Sequence, residues 1–347
     1  NLSNVDADYQ SHAVRITNSS YSNGCNAGYT AYSQQMDEDV YDNDKLMHVF
    51  SAGNAGSSDC NYGAGAGWGN VTGGHKIGKN VIATANIDAN DVIAPSSSRG
   101  PSADGRLKPD ISSVGSSVYS TIDPHTYGFK TGTSMAAPGV AGAMAQMFQA
   151  FEENHSMEPD GGLLKAFLMN TADDLGNAGP DFIYGYGRMN ILRGIRDIEA
   201  GQYFTDSVTT AQVDSFQLNV PANTAEVRVM LYWTDPAASP AAARALVNDL
   251  DLTFRTSSNT VLQPWVLDPT PDPILLNENA VRATDTMNNA EQVTLFNPSQ
   301  GSHWIKVNGT NVPVGPQKYY IVYSFVPEAV ELIYPYGGEA ITTSGST

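Results

Sequence analysis

The strongest constraint on this chain's fold is a change of hydrophobic period near residue 200. Before it, short apolar runs at Ala13–Thr17, Leu46–Ser51 and Val81–Ile87 alternate with helical patterns. Such runs read as buried strands, and strands interleaved with helices predict an α/β domain with a mainly parallel sheet. The clearest helix is predicted from Ser134 to about Glu153, apolar on nearly every side in its first half and therefore buried. After Gly201 apolar residues recur at every second position, as in Ala225–Trp233, Asp249–Phe254, His303–Val307 and Tyr319–Ser324. Half-exposed strands separated by Pro, Gly and Asn predict an all-β sandwich of jelly-roll type. Residues 1–203 are thus expected to form the first domain, 204–327 the sandwich, and 328–347 a linker or the start of a further domain, since Glu331–Glu339 reads as a strand and turn.

Composition removes several classes of function. Lys and Arg total 18 against 36 Asp and Glu, a formal charge of -18, so no nucleic acid partner is expected. No run approaches the ~20 consecutive apolar residues of a membrane span, and a monomer outside the membrane is expected. The densest acidic run, Asp37, Glu38, Asp39, Asp42 and Asp44, reads as a solvated helix face. Cys25 and Cys60 allow one disulfide, which suits an oxidising compartment; two buried free thiols are the alternative. The first residues carry neither an initiator Met nor a targeting signal, and the chain reads as an internal segment of a longer protein.

Chemistry concentrates at Thr131-Gly-Thr-Ser134-Met-Ala-Ala-Pro138, a turn that sets a serine at the start of the buried helix. A hydroxyl there feels the positive end of the helix dipole, which stabilises negative charge forming beside it. Gly132 and the small Ala136 and Ala137 leave room for a substrate carbonyl, and Pro138 is expected to cost little in a first turn. On these grounds alone Thr133 or Ser134 could equally be a simple N-cap.

The stretch from Gly132 to Pro138 resembles the nucleophile motif G-T-S-M-A-x-P of the subtilisin-like serine peptidases, the subtilase family. Val49-Phe-Ser-Ala-Gly-Asn54 is similar to a second motif of that family, and the likeness continues through Ser98–Pro101, Asp104–Arg106, Lys108–Asp110 and Tyr184–Gly187 with Asn190. The resemblance implies a secreted bacterial serine endopeptidase that cleaves polypeptides through an acyl-enzyme on Ser134, with Asn54 donating to the oxyanion. It implies that Thr17, Asn18, Ser19 and Ser20, with Gly53, Gly132 and Thr133, bind substrate. The branch with a C-terminal β-barrel is matched by Leu246–Leu252, Asn288–Glu291 and Asn311–Gln317, which extends the resemblance over the sandwich. That branch binds calcium, and Asp249, Asp251, Asp285, Asn288, Asn289 and Glu291 offer hard oxygen ligands for Ca2+; the alternative is that they cap turns.

Two parts of the family pattern are not found. The catalytic Asp and His precede the Asn54 motif in subtilases, yet nothing in Asn1–Phe50 matches either. His48 is expected to pack in a core strand, while His75, His125, His155 and His303 read as surface residues and His12 lacks the motif. The chain alone is therefore expected to be inactive until a missing N-terminal segment of the same protein joins it. A polypeptide- or glycan-binding module derived from such a peptidase, or a structural adhesion segment, are the other readings.

Overall fold

The structure, a computed structural model, describes residues 4–21, 24–25 and 28–328. The stretch expected to open a further domain, Glu331–Glu339, lies outside the described residues. The first unit runs α1 (Val5–His12), β1 (Ile16–Ser19), α2 (Ala31–Asp42), β2 (Met47–Ser51), β3 (Ile82–Ile87), β4 (Ile111–Val114), β5 (Val118–Ile122), β6 (Thr126–Lys130), α3 (Thr133–His155), α4 (Gly161–Asn170) and α5 (Ile191–Glu199). Strands β1, β2, β3 and β4 form one sheet in that order with every pairing parallel. Apolar β2 and β3 are buried along their whole length, as strands covered on both faces must be. Helix α3 packs on this sheet through Ala137, Val140, Met144 and Met147. Hairpin β5–β6 pairs only with itself and ends directly before Thr131.

The second unit begins with β7 (Tyr203–Val208), β8 (Val213–Val220), β9 (Thr224–Tyr232), β10 (Asp249–Arg255) and β11 (Val261–Leu262). It continues with β12 (Trp265–Val266), β13 (Val281–Arg282), β14 (Ala290–Phe296), β15 (Gly301–Asn311) and β16 (Gln317–Pro327). Two antiparallel sheets, ordered β11-β10-β15-β8 and β14-β9-β16-β7, face each other. Leu252, Phe254, Ile305 and Val307 of one meet Val227, Val229, Leu231 and Ile321 of the other. The period-two pattern has a consequence that differs from expectation in β9 and β16. Their alternate residues Met230, Tyr232, Tyr320 and Val322 are buried too, against α4 in the core of the first unit. Helix α4 comes close because Gly162 carries no side chain: a Cβ there would lie 2.7 Å from the Tyr320 ring and 2.8 Å from the Thr234 hydroxyl.

Charged side chains fill the junction. Lys79 Nζ meets Asp235 Oδ2 at 2.5 Å, Lys108 meets Asp110 at 2.6 Å, and Lys165 meets Asp110 at 3.1 Å. The acidic run of α2 is not the solvated face expected from its composition. Asp37 is fully buried and accepts the Tyr29 hydroxyl and the backbone N–H groups of Lys79 and Asn80. Asp39 is buried beside His48, and only Asp42 and Asp44 of the run are exposed. Cys25 and Cys60 form a disulfide with a Cα–Cα distance of 5.5 Å.

Candidate active site

Ser134 is the second residue of α3, and the backbone entering the helix is tied down on both sides. Gly132 N–H donates to Gly115 O at 3.0 Å, and Thr133 N–H donates to Asn54 Oδ1 at 3.0 Å. The Thr133 hydroxyl accepts from Gly53 N–H at 3.1 Å and donates to Asn54 Oδ1 at 3.1 Å. Thr133 is fully buried and thus holds the loop after β2 against the start of α3. Both bonds engage the Asn54 oxygen, so the amide is oriented with its NH2 left over. That NH2, the Ser134 N–H and the Ser134 hydroxyl have no hydrogen-bond partner among the described residues. A nucleophile and two donors free at one helix start are what an addition that develops negative charge on oxygen needs.

Pro138 is not in the first turn, as the sequence suggested, but is the sixth residue of α3. Lacking an N–H, it cannot bond the carbonyl of Ser134 four residues earlier. The Ser20 hydroxyl donates to that carbonyl instead, at 3.0 Å, and ties the end of β1 to the serine turn. Ser20→Ala removes that bond, and we expect a loss of about 1 kcal/mol in urea unfolding.

The expected substrate residues divide by environment. Thr17 turns inward, its hydroxyl 2.6 Å from His48 Nδ1, whereas Asn18 is exposed. Thr17, Asn18 and Ser19 line a cavity of about 510 Å3 closed by Tyr21 and His75, with Val5 and Asp8 of α1 on its far side. Gly53 has φ 120°, and a Cβ there would lie 2.2 Å from the Thr72 hydroxyl.

His48 packs in β2 with no exposure and His125 is exposed, as expected, and His12 is exposed too. His303 is not a surface residue, and His75 is half-buried. His75 bonds the Tyr21 hydroxyl at 2.7 Å and stacks on Tyr32, and burial lowers its pKa. His303 is fully buried, bonded to Ser299 O and stacked on Phe254. His155 is half-buried on Ile198 O and Phe151. None of the six bonds the Ser134 hydroxyl.

Of the expected calcium ligands, Asp249, Asp251 and Glu291 each keep a buried carboxylate oxygen without a hydrogen-bond partner among the described residues, whereas others of the set are engaged in the fold. Asp285 Oδ1 accepts from the N–H of Met287 and Asn288, and its Oδ2 from the Asn288 side chain, so this acid caps a turn. Asn288 Oδ1 accepts from Leu107 N–H, and the Asn289 side chain donates to Trp233 O and Asn80. Asp249 and Asp251 lie on β10, the former paired with Arg244 at 2.9 Å. Among the described residues no group of three or more His, Cys, Asp or Glu is arranged to hold a metal. Glu291 is fully buried, and burial, then the charge of Asp285, pushes its carboxyl well above the usual range. A raised pKa in the fold means stability falls as pH climbs past the unfolded value. Glu291→Gln keeps an acceptor for Leu252 N–H, and we expect it to melt higher than the native chain at pH 7 and equally near pH 4.5, the ordinary value.

Comparison with known proteins agrees with this arrangement. The sequence profile of the subtilase family, Peptidase_S8, matches residues 3–187. Subtilisin DY of Bacillus licheniformis is 32% identical over 165 residues, covering 48% of this chain and 52% of that protein. The minor extracellular protease Vpr of Bacillus subtilis is 41% identical over 115 residues, 30% of this chain and 14% of Vpr. The serine protease/ABC transporter B family protein tagA of Dictyostelium discoideum is 26% identical over 261 residues, 64% of this chain and 15% of tagA. The chain thus spans less than a fifth of the length of the first relatives it matches. No helix among the described residues is long and apolar enough to cross a membrane. With more than half of its length matched by the profile and a serine turn built as described, the chain belongs to the subtilase family.

Proposed function

We propose that this chain carries the nucleophile and the oxyanion donors of a secreted, monomeric serine endopeptidase acting on polypeptides. The observation that carries the proposal is the free hydroxyl and N–H of Ser134 beside an Asn54 amide fixed by Thr133. Ser134 Oγ bonds to the scissile carbonyl carbon while a base takes its proton. The carbonyl oxygen becomes an oxyanion that accepts from Ser134 N–H and the Asn54 NH2, and the amine leaves as the acyl-enzyme forms. Water then releases the acyl group by the same route. The base and its orienting carboxylate come from an N-terminal segment of the same protein, because no histidine described above reaches Ser134. Secretion is supported by the disulfide and by relatives named as extracellular.

We also read the second unit as a jelly roll. Numbered in chain order without β12 and β13, its eight strands run 1-8-3-6 in one sheet and 2-7-4-5 in the other, an order that supports two interlocked Greek keys. The test of the activity is casein hydrolysis by the chain joined to its N-terminal segment. Turnover that Ser134→Ala abolishes is expected; a folded, extended protein without turnover would leave a polypeptide- or glycan-binding module.

A further inference from the structure

Hairpin β5–β6 turns its largest apolar side chains to solvent: Tyr119 is 62% exposed, Tyr127 62% and Phe129 69%. The register sets Tyr119 opposite Phe129 and Thr121 opposite Tyr127, so the three rings share one face of the hairpin. They touch one another, the Tyr119 centroid lying 5.0 Å from that of Phe129 and 5.9 Å from that of Tyr127. On the other face Val118, Ile122 and Gly128 are half-buried, so the aromatic face is the one turned away from the protein. One cross-strand ring pair is enough to steady a hairpin, whereas a contiguous apolar patch left open in water marks a surface that meets a partner. A cavity of about 470 Å3 continues this face at the tip of the hairpin, lined by Thr121, Ile122, His125 and Tyr127.

The base of the hairpin points to the partner. Gly132 N–H donates to Gly115 O at 3.0 Å and Ser117 N–H donates to Thr131 Oγ1 at 2.9 Å, so the hairpin rises directly from the turn that holds Ser134. The same turn is fastened to the end of β1 through the Ser20 hydroxyl. Strands β1 and β4 are the two outermost of the parallel sheet, and the hairpin follows β4. Ser134 therefore lies between the end of β1 and the hairpin. A polypeptide whose acyl half lies along Thr17–Ser20, with its carbonyl carbon at Ser134, continues beyond the cleaved bond on the hairpin side. A strand rises about 3.4 Å per residue, which sets the rings roughly 10–17 Å from the base of the hairpin, the reach of about the third to fifth residue of an extended chain. Three uncharged rings gain most from an aromatic or aliphatic side chain laid against them.

We propose that the face carried by Tyr119, Tyr127 and Phe129 binds the leaving half of the substrate and takes an apolar side chain at about the third to fifth residue beyond the bond that Ser134 attacks. The inference rests on the proposed peptidase reading, and its test does not require turnover. Nitration of the native chain by tetranitromethane, read tyrosine by tyrosine by mass mapping, compares two leaving-half peptides, H-Ala-Ala-Ala-Phe-Ala-NH2 and H-Ala-Ala-Ala-Ser-Ala-NH2. The phenylalanine peptide is expected to slow nitration of Tyr119 and Tyr127 at about a tenth of the concentration that the serine peptide needs, as burial of one aromatic side chain implies. Tyr32, 54% exposed on α2, serves as the control and nitrates at an unchanged rate. In Phe129→Ala the advantage of the phenylalanine peptide shrinks. No protection by either peptide, or equal protection by both, overturns the inference. So does protection as strong from N-acetyl-phenylalaninamide alone, which would show rings that need no chain running from Ser134. Protection by maltohexaose and not by the peptide would give the face to a glycan and overturn it too. All of these comparisons use the native chain, so they decide the matter even if the variant loses its hairpin. Failure of the peptidase reading is separate: it is read from covalent labelling of Ser134 and not from nitration.

Discussion

Lys79→Met is expected to destabilise the protein by about 3–5 kcal/mol, the usual effect of leaving one member of a buried ion pair behind. Lys79 stands just before β3 and Asp235 just after β9, so the pair fastens the parallel-sheet unit to the sandwich. The ammonium also donates to Pro236 O at 2.6 Å and Ala245 O at 2.7 Å, both in the loop that follows β9. Asp235 accepts in addition from the N–H groups of Val247 and Asn248, which keep it oriented when the lysine is removed. Burial already raises the Asp235 carboxyl against the pull of Lys79, and without the lysine it rises further. A carboxyl whose folded pKa is raised loses stability as pH climbs through the window between its unfolded and folded values. The gap between Lys79→Met and the native chain in urea unfolding should therefore widen from pH 4 to pH 7, and Lys79→Met combined with Asp235→Asn should recover part of it. An unchanged midpoint in the single variant would mean that the pair does not join the two units.

Asn54→Ala gives the second large effect, on turnover more than on stability. In the chain joined to its N-terminal segment, kcat is expected to fall by about 10²–10³ with KM little changed, a magnitude known from subtilisin itself. Truncation also takes the acceptor away from the Thr133 N–H and hydroxyl, so a stability loss of about 1–2 kcal/mol is expected beside the kinetic one. A loss seen in KM with kcat intact would assign Asn54 to substrate binding instead.

The alternation of apolar residues exposes the sandwich strands directly, because residues two apart share a face of a sheet whatever lies around it. The same alternation misreads β9 and β16, whose second faces carry Met230, Tyr232, Tyr320 and Val322; tyrosine and methionine serve at a half-wet surface or in a core, and only the docking of α4 decides. The turn holding Ser134 is legible from a short contiguous motif. Its supports are not: the bond from Ser20 to Ser134 spans 114 residues and follows from the N–H that Pro138 lacks. Pairing across long separations also hides the buried charges. Asp37 reads as one more acid on an acidic helix until Lys79 and Asn80, more than 40 residues on, bring their N–H groups to it. Among the expected calcium ligands, Asp285 and Asn288 are close enough in sequence to bond each other, a pairing the motif does not reveal.

The most direct test of the central claim is labelling with a fluorophosphonate probe followed by mass mapping, on this chain and on the chain joined to its N-terminal segment. The account predicts a label on Ser134 in the joined form and little or none on the chain alone, because the hydroxyl then has no base within reach. A folded, joined protein that stays unlabelled at Ser134, or a label carried by another serine, would contradict it.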